Sequence, residues 1–141
     1  MITYDIQLAG YDFLQVDEKG PIDFTGFMQV LQRFPWKGEL EKANSEQRGV
    51  SPTLSAVNKA DEKILWVSIE GNPDKPVFLL GLVYMREKKG FLGLGRSKMV
   101  KWVDIYKVHN MPDLEAYFVL FFRGAYQELK DALMGLKSYG L

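Results

Sequence analysis

A chain of 141 residues with 18 basic and 18 acidic side chains is formally neutral, which argues against the broadly basic surface that nonspecific nucleic-acid binding draws on. Its length fits one domain, residues 1–141, with a core large enough to need neither disulfides nor a structural metal. The absence of cysteine removes disulfide, thiolate-nucleophile and thiolate-metal chemistry, and 47% hydrophobic with 26% charged residues is the composition of a globular protein, not a disordered one.

Met1–Ile6 has no basic stretch leading into an apolar run, and no window approaches the roughly 18 apolar residues of a membrane span. The reading is a cytoplasmic protein without a membrane partner. Ile2, Tyr4, Ile6 and Leu8 alternate with polar residues at the period of a half-buried strand. Ala9-Gly10 then predicts a tight turn into a second strand near Tyr11–Val16, with Asp17–Pro21 as the next turn. Asp23 stands at an N-cap position ahead of Phe24, Phe27, Met28, Leu31 and Phe34 at helical spacing. Pro35 ends that helix and opens a shorter one carrying Trp36, Leu40 and Ala43.

Val50–Asn58, Lys63–Glu70, Val77–Arg86 and Lys98–Val108 are rich in β-branched and aromatic residues and are separated by turn chemistry, which predicts an antiparallel meander. Lys63–Ile69 and Val77–Val83 are apolar on both parities, as in strands covered on two faces, and the C-terminal segment from Met111 is the expected cover of the second face. Met111-Pro112-Asp113 starts a helix with Leu114, Tyr117, Phe118 and Phe121 on one stripe. The nearly all-apolar Ala116–Phe122 also fits a buried strand. Gly124 breaks the run, and Tyr126, Leu129, Ala132, Leu133 and Leu136 define a final amphipathic helix. The predicted fold class is α+β: an antiparallel sheet, made of an N-terminal hairpin and a four-stranded meander, packed with N- and C-terminal helices.

Catalytic and metal chemistry are not encoded in any recognisable form, and no cofactor is implied. His109 is the only histidine, too few for a multi-histidine metal site. Ser51, Thr53, Ser55 and Ser68 fall on strand positions read as facing solvent, and Gly-x-Ser-x-Gly does not occur. The acidic pairs Asp17/Glu18, Glu39/Glu41, Asp61/Glu62 and Asp113/Glu115 occupy turns or first helical turns, where carboxylates have structural uses. Gly90-Phe91-Leu92-Gly93-Leu94-Gly95 lacks the Gly-Lys-Ser/Thr ending of a phosphate loop and leads into a strand instead of a helix.

Residues 86–101 carry six basic side chains (Arg86, Lys88, Lys89, Arg96, Lys98 and Lys101) against the single acid Glu87. The segment is therefore +5, which leaves −5 for the rest of the neutral chain. A basic rim around apolar residues suits a protein partner with an acidic patch, because complementary fields steer encounter while apolar anchors hold the complex. The candidate partner-binding residues are Lys88, Lys89, Arg96 and Lys98 for charge and Phe91, Leu92 and Leu94 as anchors.

Four phrases resemble small bacterial immunity proteins: Phe34-Pro35-Trp36 with Glu39-Leu40, Ser51-Pro52-Thr53-Leu54-Ser55, Leu65-Trp66-Val67-Ser68, and Phe121-Phe122-Arg123-Gly124-Ala125-Tyr126 leading to Leu129. The resemblance implies an α+β domain without catalytic machinery that neutralises a cognate toxin domain by binding it. It carries over no contact residue. The alternative is an apolar-ligand carrier or small enzyme with a pocket between sheet and helices, lined by Phe27, Trp66, Trp102, Phe118 and Phe121. Self-association through the long hairpin is a third reading.

Overall fold

A computed structural model describes residues 1–45, 50–88, 90, 95 and 98–136. Six strands, β1 (Thr3–Gln7), β2 (Asp17–Pro21), β3 (Thr53–Asn58), β4 (Lys63–Asn72), β5 (Lys75–Lys88) and β6 (Lys98–Val108), form one antiparallel sheet in the order β2-β1-β3-β4-β5-β6. Four helices accompany it: α1 (Phe24–Arg33), α2 (Trp36–Ser45), α3 (Met111–Phe122) and α4 (Tyr126–Met134). The α+β class and the consecutive β3–β6 meander follow the sequence reading.

The helix boundaries have visible causes. Asp23 accepts a 2.8 Å hydrogen bond from the Gly26 amide at the start of α1, and the indole N–H of Trp36 donates to the Leu31 carbonyl across the Pro35 turn. Asn110 caps α3 by accepting from the Asp113 amide at 2.9 Å. That cap, with Leu114, Phe118 and Phe121 buried at i, i+4 and i+7, makes Ala116–Phe122 helical, not a strand. Gly124 adopts φ 72° at the α3–α4 break, in the left-handed region that favours glycine.

All four helices share one core with one face of the sheet. Leu54, Ala56, Leu65, Val67, Ile69, Phe78, Leu80, Leu82 and Val108 have matching parity and pack with Phe27, Leu31, Leu40, Leu114, Phe118, Phe121, Leu129 and Leu133. Phe27 lies at the centre, its ring 4.7 Å from Phe118 and 5.6 Å from Phe122.

Three expectations are corrected. The second strand is Asp17–Pro21, not Tyr11–Val16; the earlier segment is the connecting loop, and the predicted turn forms the strand. As an edge strand β2 needs backbone pairing more than apolar side chains, and Pro21 at its end is compatible with an edge. Among the described residues no helix covers the second face of β4 and β5. Its apolar parity is explained partly by Trp66, whose indole lies over Gly81 on the neighbouring strand. Ser68 is buried, donating to the Pro52 carbonyl at 2.9 Å, and does not face solvent. No helix among the described residues is long and apolar enough to cross a membrane.

Candidate functional site: the β5–β6 arm

β4 begins at Lys63, and its pairing with β5 starts at Ile64↔Val83. Beyond that level β5 and β6 continue alone through the rungs Tyr84↔Trp102, Met85↔Lys101, Arg86↔Val100, Glu87↔Met99 and Lys88↔Lys98. At about 3.4 Å per residue this two-stranded ribbon extends about 14 Å past its neighbour. Too little surface lies there to bury large side chains. Met99 is 61% exposed and Trp102 42%, while Val103, on the last rung that β4 flanks, is 40% exposed at the β6 edge.

The side of the ribbon continuous with the helix layer carries a linked set of groups. The Arg86 guanidinium sits 4.7 Å from the Trp102 ring centroid, a stacking that fixes a flexible cation over an exposed aromatic. Tyr84 donates to an Asp104 carboxylate oxygen at 2.9 Å, and the Trp102 indole N–H donates to the other at 3.3 Å. Lys130 of α4 places its ammonium 3.8 Å from the Tyr84 ring centroid. Burial, followed by the Asp104 hydrogen bond, pushes the Tyr84 hydroxyl up to about 12, so it stays a neutral donor at physiological pH. Arg86, Glu87, Lys88, Val100 and Trp102 line a groove of about 360 Å³ on the ribbon.

Of the sequence-predicted site residues, Lys88 and Lys98 face each other on the outermost rung, both exposed. Lys89, Phe91, Leu92, Leu94 and Arg96 lie outside the described residues. Sequence reasoning missed Met99, Trp102 and Val103 as surface residues and left Arg86 and Lys101 off the contact set. The signal was strand length, since the turn before Lys63 stops β4 short while β5 and β6 run on.

The pocket-lining set of the alternative reading does not converge. Phe27, Phe118 and Phe121 are fully buried in the core, Trp66 occupies the opposite sheet face over Gly81, and Trp102 is on the arm. One member of each acidic pair has a structural partner. Asp17 accepts from the Tyr11 hydroxyl, Glu39 from the Ala9 amide, Asp61 from the Tyr126 hydroxyl and Asp113 from the Asn110 side chain. Comparison with known proteins gave no match: no family model, curated protein or solved structure aligns with the chain.

Proposed function

We propose that this chain is a non-enzymatic, cytoplasmic binding protein whose β5–β6 arm engages a protein with an acidic surface. The observation that carries the reading is the pairing of exposed Trp102 with Arg86 on one side of a ribbon that exposes Met99 on the other. Tryptophan, arginine and methionine are enriched at protein interfaces, and tryptophan and arginine dominate hot spots. Lys88 and Lys98 on the Trp102 side, and Lys101 on the Met99 side, add positive charge that steers an acidic partner. Lys89, Arg96, Phe91, Leu92 and Leu94 extend the same chemistry along the sequence. The local resemblance to bacterial immunity proteins supports a toxin domain as the partner, neutralised by occupation of its surface.

The test is capture of partners from the producing cell by the native chain and by Met99→Ser/Trp102→Ser, with thermal melts to verify that both are folded. A protein with an acidic surface is retained by the native chain and lost, or weakened at least tenfold, with the variant. Produced alone, that protein arrests growth, and co-production of the native chain restores it. An identical set of captured proteins for both chains overturns the assignment of the arm, and a captured partner that is harmless overturns the immunity reading.

A further inference from the structure

The loop between β1 and β2 holds an apolar tip in solvent. Phe13 is 82% exposed and Leu14 88%, yet the loop around them is tied down. Gln7 donates from its side-chain amide to the carbonyls of Phe13 and Gln15 at 3.1 and 3.0 Å. The Gln15 amide donates to the Asp12 carbonyl, and the Tyr11 hydroxyl to Asp17 at 2.8 Å. The Ala9 amide donates to Glu39 of α2 at 3.1 Å.

This corner is acidic. The only charged side chains in the first 18 residues are Asp5, Asp12, Asp17 and Glu18, bounded by Lys19 and by Lys59 near Asp5. Asp5 and Glu18 stand directly opposite each other across β1 and β2, a like-charge pairing that disfavours the hairpin. The first 18 residues therefore carry a net −4 on their side chains, the sign opposite to that of the arm. Among described residues the arm itself carries Arg86, Lys88, Lys98 and Lys101 against Glu87.

The two patches sit at opposite corners of the sheet. The acidic loop follows Gln7, whose rung runs through Thr53, Ser68 and Leu79 to Lys107, whereas the arm leaves from the other strand end at the opposite edge. Nine residues of β5 separate Leu79 from Lys88, about 30 Å of strand, and four strand spacings separate β1 from β6, about 19 Å. The loop and the arm cannot meet within one molecule.

We infer that the acidic Phe13–Leu14 loop is a docking site for the basic arm of a second copy of this chain, giving head-to-tail association. The loop presents Phe13 and Leu14 in an acidic field, and the arm presents Trp102 on one side and Met99 on the other in a basic one, so an occupant whose chemistry fits the loop is already encoded in the same chain. Because the patches differ and lie on opposite corners, the contact is heterologous and leaves one loop and one arm open at the ends of an assembly. Self-association would also cover the surface offered to an outside partner.

Sedimentation velocity from about 1 to 500 µM at low salt tests this on four samples: the native chain, Phe13→Ser/Leu14→Ser, Met99→Ser/Trp102→Ser, and an equimolar mixture of the two variants. The native chain gains mass with concentration, and 0.5 M salt weakens it at least tenfold. Each variant alone stays monomeric, while the mixture forms a one-to-one dimer and nothing larger, because it retains one intact loop and one intact arm. Asp12→Lys, a change of charge at an exposed position, reproduces the loop variant. A native chain that stays monomeric at 500 µM overturns the inference, as does a loop variant that associates like the native chain or a mixture that stays monomeric. Loss of outside-partner capture by the arm variant, with capture retained by the loop variant, bears on the proposed function alone.

Discussion

Trp66 and Gly81 show how one residue without a side chain sets the character of a whole face. A Cβ built on Gly81 would overlap the Trp66 indole, so the glycine is kept for space: its φ is not among the positive values in the chain. On a face that no helix among the described residues covers, this stacking removes part of a tryptophan from water. Gly81→Ala should cost about 1–3 kcal/mol through overpacking, read as a lower urea midpoint with a shifted tryptophan emission. Trp66→Leu added to Gly81→Ala should recover part of the loss. An unchanged midpoint in the single variant would show that the indole is not held against the strand.

At the scale of elements, a small polar clasp adds to the packing of Leu129 and Leu133 where α4 meets the sheet. Tyr126 donates to Asp61 at 2.6 Å, and the Asn58 side chain donates to Asp61 at 3.1 Å and to the Tyr126 oxygen at 3.2 Å. Lys63 lies 5.3 Å from the Tyr126 ring centroid. Tyr126→Phe should cost about 1–2 kcal/mol, because the Asp61 bond is charge-assisted, and should raise amide exchange in α4 before the rest of the domain. Burial, then the Asp61 hydrogen bond, holds the Tyr126 hydroxyl above the ordinary tyrosine value. The unfolded chain ionises near pH ~10 while the folded chain keeps its proton. This contribution is therefore complete below pH ~10 and declines as pH rises through the folded value, so the alkaline loss of stability should be shallower in Tyr126→Phe. An equally steep loss would remove Tyr126 as its source. The elements legible in the sequence are those whose side chains state their own environment: Asp23 before the Phe27–Leu31 stripe, and β-branched runs between strong turns. β2 was hidden because Asp-Glu-Lys-Gly-Pro has no apolar pattern and is ordered by pairing with β1 alone. The sheet face that no described helix covers was hidden for the opposite reason, since the apolar Val77–Val83 run looks the same beneath a helix as beside a tryptophan.

Across the whole molecule, core and arm are separable. The side chains buried with the helices reach Leu82 on β5, and the ribbon beyond Val83 has no β4 neighbour, so little stabilising burial depends on the arm's outer end. The candidate site was half legible on the same grounds: sorted charge located the arm, but periodicity could not tell that Trp102 lies past the end of the adjoining strand. Joining Lys88 to Lys98 through Asn-Gly in place of residues 89–97 supplies a two-residue hairpin connection for a directly paired rung. The shortened chain should keep the native unfolding free energy, read from urea titration, within about 0.5 kcal/mol. It loses Phe91, Leu92, Leu94, Lys89 and Arg96 but retains Arg86, Met99 and Trp102. Its affinity for the captured partner should fall at least tenfold yet stay measurable, and Trp102→Ser in the shortened background should abolish it. Native affinity in the shortened chain would confine recognition to the ribbon, whereas a lowered urea midpoint would show that the arm is part of the folding unit.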